Sequence, residues 1–105
     1  MFSYIGLAMK SGNLVSGGFA TEKAIKDYKA KVVIAADDLS ENSRKKYDQM
    51  CEYYHVPMFY YGTKEELGHA MGQEFRASLS VEDAGFAKTL ASRMNVNGGS
   101  LNESK

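Results

Sequence analysis

The sequence predicts an α/β protein, a three-layer α/β/α sandwich built on a four-stranded mixed sheet. Three observations lead there. Helical and strand signals alternate from end to end, and such alternation places helices on both faces of a largely parallel or mixed sheet. One segment, Lys31 to Ala36 (KVVIAA), is a nearly continuous apolar run, the pattern of a strand covered on both faces. At 105 residues the chain has room for one core and not for two. Residues 1–95 are expected to form that single domain, and the polar, Gly/Ser/Asn-rich residues 96–105 a flexible C-terminal tail.

The elements follow in order. Ser3 to Lys10 reads as a first helix with Ile5, Ala8 and Met9 on its buried side, stopped by Gly12 and Asn13. Leu14 to Ser16 is a short strand. Gly17-Gly18 is a turn that opens a second helix running to about Lys29. There Ala20, Ala24 and Tyr28, with Thr21 and Ile25 beside them, recur at helical spacing and are expected to face the core. Lys23, Lys26 and Asp27 lie on the other side. Asp37-Asp38 ends the apolar strand. The third helix, Glu41 to Tyr54, carries Tyr47, Met50, Cys51 and Tyr54 at i, i+3, i+4 and i+7 of one face. Pro57 forbids its extension, and Met58 to Tyr61 is the next strand. Thr63 and Glu66 make a capping-box signature for the fourth helix, which buries Leu67, Ala70 and Met71. Phe75 to Ser80 (FRASLS) alternates loosely and reads as the last strand. Ser80-Val81-Glu82-Asp83 then opens a fifth helix burying Ala87, Leu90, Ala91 and Met94.

Composition narrows the function classes. No apolar run approaches the roughly 20 residues that span a membrane, and the N-terminal MFSYIGLAMKSG lacks the charged flank and long apolar stretch of a secretory signal. Cys51 is the single cysteine, so no internal disulfide forms, which fits a reducing cytoplasm. Formal net charge is zero, against a strongly basic nucleic-acid coat. The balance is uneven, however. Between Lys10 and Lys31, five lysines (Lys10, Lys23, Lys26, Lys29, Lys31) face two acids, Glu22 and Asp27. A local basic patch on a neutral chain suits a specific site of modest footprint.

Catalytic constellations are sparse. Cys51 and His55 share a helical face and could hold zinc with His69 as third ligand. The favoured reading is that Cys51 fills the core stripe and His55 ends a helix near the surface, since no second Cys or His pair accompanies them. Asp37 and Asp38 stand at the carboxyl end of a central strand, where open α/β sheets gather their sites, and paired acids can bind Mg²⁺. The favoured reading is that one or both acids terminate the strand and cap the third helix, because no phosphate loop or catalytic base accompanies them. Neither an enzyme, nor a cofactor, nor a metal site is therefore expected.

Gly17-Gly18 between a strand and a helix carries more. Glycines there allow close backbone approach, and the free N–H groups of a first helical turn attract phosphate. Lys23 and Lys26 project from the same helix, and Lys10 is a further candidate near it.

At this point the chain resembles a known family. GLAMKSGNLVSGG, followed by KAIKDYKAKVVIAADDLSEN, is similar to the ribosomal-protein superfamily of the L7Ae and L30e type. The segment Tyr53 to Pro57 (YYHVP), the TKEELGHAMG helix and the SVEDAGFAKTL ending are similar to its YlxQ branch, small bacterial proteins associated with translation genes. The likeness runs over residues 3 to 94. It implies the same sandwich and a non-enzymatic RNA-binding role at the ribosome or in translation. It also implies structured RNA as partner, ribosomal proteins as neighbours and a cytoplasmic setting.

In the family's best-characterised members the second helix opens with Gly-x-Asn-Glu-x-x-Lys, which clasps the sheared G·A pairs of an RNA kink-turn. Gly17 matches the glycine and Lys23 the lysine, but Phe19 and Ala20 stand where Asn and Glu would be. Amide and carboxylate groups read base edges by hydrogen bonding, and neither Phe nor Ala can do so. Phosphate contact by Gly17, Gly18 and Lys23 survives that change. The resemblance also assigns the loop around Val81 to Gly85 as a second, apolar RNA-facing loop. Gly17, Gly18, Phe19, Thr21, Lys23, Lys26, Lys10 and Val81 are thus the candidate RNA contacts. Phe19 has two readings: stacking on a splayed base, or tucking under the helix, which the usual burial of aromatics favours. The alternative function is a protein-interaction module that kept the fold with little RNA affinity, which the neutral charge and the missing Asn-Glu favour.

Overall fold

The apolar run becomes the middle of the sheet. The computed structural model describes residues 2–96 and 100–101. Its elements are α1 (Phe2–Lys10), β1 (Leu14–Ser16), α2 (Gly18–Lys26), β2 (Val32–Ala35), α3 (Glu41–Tyr54), β3 (Met58–Tyr60), α4 (Lys64–Ala70), β4 (Ser78–Val81), α5 (Ala84–Val96) and β5 (Ser100–Leu101). The strand order is β1-β4-β2-β3-β5, with β2 parallel to β3 and the other neighbours antiparallel. The four expected strands make the mixed sheet, and the two-residue β5 extends it along the free edge of β3. Those two residues fall in the stretch read as a flexible tail; the remainder of that stretch beyond α5 lies outside the described residues.

Strand geometry sends alternate β2 side chains to opposite faces, and both faces are covered. Val32 and Ile34 join Ile5, Ala8, Leu67, Leu90 and Met94 from α1, α4 and α5. Val33 and Ala35 join Ala24, Ile25, Tyr47 and Cys51 from α2 and α3. Val33 and Ile34 are fully buried, each such aliphatic side chain contributing about 1.5–3 kcal/mol by leaving water. The stripes read from periodicity on α3, α4 and α5 are the stripes that pack.

Two segments depart from expectation. The last strand is Ser78–Val81, displaced toward the C-terminus from Phe75–Ser80. All four of its residues are buried, so the polar serines mark no solvent face. Leu79 and Val81 enter the core under α1, α4 and α5, while α2 packs against the same strand on its other side. There small serines permit a close approach. The Tyr47 hydroxyl meets Ser78 Oγ at 2.8 Å, whereas Ser80 Oγ is buried without a hydrogen-bond partner.

The second departure is α2, which stops at Lys26, short of Lys29. The Lys29 amide donates back to the Ala24 carbonyl at 2.9 Å, and Tyr28 between them takes a left-handed backbone, φ 61°. This closure swings Tyr28 out of the core stripe, and it is 71% exposed.

Candidate nucleic-acid interface

Helix ends leave backbone groups unpaired, and the neighbouring sequence decides whether a side chain takes them. Ser40 Oγ accepts from the Ser43 amide at the start of α3. Thr63 and Glu66 form the expected reciprocal capping box on α4. At α5, Asp83 Oδ2 accepts from the Phe86 amide at 2.9 Å. The start of α2 is different. Its N-cap is Gly17, which offers no side chain and makes no side-chain cap bond. The amides of Gly18, Phe19 and Ala20 are thus left uncapped at the positive end of the helix dipole.

Gly17 is held in place by its backbone. Its amide donates to the Ser78 carbonyl at 2.8 Å, and its carbonyl accepts from the Thr21 amide at 2.9 Å. With φ 96° and ψ 157° it occupies a region open almost only to glycine. A Cβ at this position would find space, its nearest neighbour being Arg76 Cδ at 4.0 Å. Conformation, and not crowding, requires the glycine.

The Gly17 to Ser78 bond brings the α4–β4 loop alongside. Arg76 reaches from that loop across the end of β1, its Nε donating to Ser16 Oγ at 2.9 Å and its Nη1 to the Phe75 carbonyl at 3.0 Å. Among the described residues it makes no ion pair. Two large apolar rings on these segments lie in solvent: Phe19 on the first turn of α2, 85% exposed, and Phe75, next to Arg76 in the loop, 58% exposed. The corner therefore holds uncapped amides, a guanidinium beside them and the open face of Phe19, with a second exposed ring on the residue before Arg76. Such a set can take a phosphate and stack bases.

Several sequence-derived assignments meet this geometry. Gly17, Gly18 and Phe19 stand at the start of α2, and Phe19 is outside, not tucked under the helix. Lys23 and Lys26 continue along the outer face of α2. Lys23 donates to Asp27 Oδ2 at 3.0 Å in an exposed pair. The remaining three are corrected. Thr21 is fully buried, because its position faces the sheet; it can shape the helix start but presents no side chain to a ligand. Val81 is also fully buried, at the far end of β4 opposite Leu14. Three residue steps put it about 10 Å along the strand from Ser78, and the Glu82 amide bonds Asn13 there. Lys10 ends α1, in the layer on the opposite face of the sheet from α2. The loop beside Gly17 is therefore the α4–β4 loop, not residues 81–85. Sequence reading missed Phe75 and Arg76 because it spent them on a strand. The available signal was Gly72, a turn glycine at φ 71°, followed by polar Gln73 and Glu74.

The metal readings find other uses for their residues. Asp38 Oδ1 accepts from the Lys64 amide at 2.9 Å, so it supports α4 and not α3. Cys51 sits in the α2/α3 core, His55 caps α3 in the left-handed region, and His69 stands on α4 in the opposite layer. Among the described residues no three His, Cys, Asp or Glu side chains converge on a possible metal site. Burial, with the Asp48 carboxylate adding to it, pushes the Cys51 thiol up to about 12. The reactive species is the thiolate. Iodoacetamide at pH 8 should therefore leave Cys51 unmodified in the native chain and label it fully in denaturant, as intact mass will show. Rapid native labelling would contradict its burial.

Comparison with known proteins agrees with this architecture. A model of the ribosomal protein L7Ae/L30e/S12e/Gadd45 family matches residues 1–91. The chain is 36% identical over 94 residues to the RNA-binding protein YlxQ of Bacillus subtilis (strain 168), covering 90% of this chain and 94% of that one. It is 40% identical over 84 residues to the RNA-binding protein YlxQ of Enterococcus faecium, covering 80% and 81%. A solved structure of a protein with unknown function from Bacillus halodurans C superposes with a TM-score of 0.85 at 31% identity, over 90% of this chain and 95% of that one. The alternating elements, the two-faced sheet and these matches have one reading: the chain belongs to the ribosomal protein L7Ae/L30e/S12e/Gadd45 family.

Proposed function

We propose that the chain is a non-enzymatic RNA-binding protein of translation that grips structured RNA at the open start of α2. The observation that carries this is the corner at Gly17. There a helix without a side-chain cap points its amides outward, Arg76 stands beside them, and Phe19 is exposed. A phosphate satisfies the amides and the guanidinium together. Phe19 and Phe75 then offer stacking faces to splayed bases, in place of the hydrogen-bonded base reading that Asn and Glu give elsewhere in the family. The naming of both YlxQ relatives as RNA-binding proteins supports the same reading. Ribosomal RNA, with ribosomal proteins as neighbours, is the setting that the family suggests.

Lys23 and Lys26 supply phosphate contacts that position RNA without reading sequence. The Lys23 to Asp27 pair does not withhold its charge, since exposed pairs of this kind are worth little. A Lys23→Glu, Lys26→Glu variant should weaken binding to all structured RNAs by similar factors. It should also flatten the salt dependence, the log–log slope falling by about 0.7–0.9 for each phosphate that is no longer neutralised. Filter binding of total cellular RNA across a salt series measures both. Unchanged binding by a folded double variant would favour the protein-interaction alternative.

A further inference from the structure

Both helices on the α2/α3 face close on a residue that takes the left-handed region at a backbone cost: Tyr28 at φ 61° and His55 at φ 60°. Helix closures of this kind ordinarily use glycine. Tyr28 gains no compensating burial, for its ring lies in solvent. It stands edge-on to Tyr54, centroids 5.3 Å apart, and Tyr54 stands edge-on to Tyr53 at 4.9 Å. Tyr53 is 73% exposed. Three tyrosines thus form a stepped aromatic surface at the joint end of α2 and α3, with two of its rings open.

The surroundings of this surface are basic. Along the outer face of α2, Phe19, Lys23 and Lys26 follow one another at helical spacing, and Lys29 comes just beyond. On α3, Lys45, Lys46, Gln49 and Met50 line a shallow groove that ends on Tyr53 and Tyr54. These five lysines outnumber the local acids Glu22, Asp27, Asp48 and Glu52, and Asp48 is held by the Tyr60 hydroxyl. Glu22 is already bound to Lys46, and Asp27 to Lys23. Lys26, Lys29 and Lys45 make no ion pair among the described residues.

We infer that this tyrosine surface is a second RNA contact, taking unpaired bases of a single strand that leaves the start of α2 along its outer face. The inference rests on the reading of that start as an RNA site and extends its footprint. Open tyrosine faces stack on any base, and a lysine-rich border matches a phosphate backbone. Lysine is depleted in protein–protein interfaces relative to the rest of the surface, whereas here lysines crowd the tyrosines. The nine residues of α2 span about 13 Å, so a few nucleotides bridge the two sites.

The test uses a hairpin RNA with an internal loop, chosen from the cellular RNA that the chain retains, either bare or carrying eight unpaired uridines at the 5′ or the 3′ end. Fluorescence anisotropy reads affinity for the full chain and for a Tyr28→Asn, Tyr53→Gln variant. Asn tolerates the left-handed backbone, and both positions are exposed, so the variant should keep its melting temperature. One extension should tighten wild-type binding about 5- to 150-fold, the span of one stacked base. The variant should lose that gain and bind the bare hairpin as the wild type does. An extension that adds nothing to wild-type binding overturns the inference while leaving the α2 site intact. So does a variant that keeps the gain, or a wild-type chain that self-associates in sedimentation where the variant does not. If the wild type binds neither RNA, the reading of the α2 start fails, and this one with it.

Discussion

Phe19→Ala should reduce affinity for structured RNA by roughly 1–3 kcal/mol, the effect of removing one base-stacking ring. That is a loss of about 5- to 150-fold in Kd. Stability should stay within about 0.5 kcal/mol, because substitutions at open surface positions rarely do more. The prediction follows from exposure: Phe19 is 85% exposed on the first turn of α2, so its ring has little packing to lose. Paired measurement of binding by calorimetry and of thermal unfolding separates the two roles of this residue. A fall in melting temperature with unchanged affinity would place Phe19 in the core after all and remove the main stacking group from the corner.

Gly17→Ala should do the converse first and the same second. A Cβ forces the backbone out of φ 96°, ψ 157°, at a cost of order 1–3 kcal/mol. Each kcal/mol lowers the melting temperature by roughly 4–8 °C in a domain of this size. The chain relieves that strain by releasing either the Gly17 to Ser78 bond or the Gly17 to Thr21 bond. Either release shifts the α2 start relative to Arg76 and the α4–β4 loop. RNA affinity should therefore fall along with stability, even at temperatures where the variant is fully folded. A variant with wild-type stability would show that Gly17 is not held as described, and that the corner owes its shape to something else.

Much of the fold is legible in the sequence because its signals are local. β2 is apolar at every position and is the strand covered on both faces. Thr63 and Glu66 announce a capping box three residues apart, and it forms. The stripe at Tyr47, Met50, Cys51 and Tyr54 is the face that α3 turns inward. What is not legible depends on pairings distant in sequence. Ser78 and Ser80 look like surface residues until α2 and α3 cover them, so sequence alone sets the last strand too early. That shift consumes Phe75 and Arg76, whose place beside Gly17 follows only from the antiparallel pairing of β1 with β4. The same pairing sends Val81 to the opposite end of the sheet. Tyr28 fits the helical stripe by spacing, yet the helix ends two residues before it. Phe19 escapes a rule of aromatic burial because that rule is a tendency, and the site departs from it.

Amide chemical-shift mapping tests the RNA corner most directly, since a chain of 11.6 kDa gives well-resolved spectra and each amide reports its own surroundings. Uniformly labelled protein is titrated with the internal-loop hairpin RNA chosen from the cellular RNA that the chain retains. The predicted result is a contiguous set of perturbed amides at Ser16 to Lys26 and Met71 to Ser78, largest at Gly18, Phe19, Ala20 and Arg76. Perturbations confined to residues 81–85 and to the α1, α4 and α5 layer, with the Gly17 corner unmoved at saturation, would contradict it.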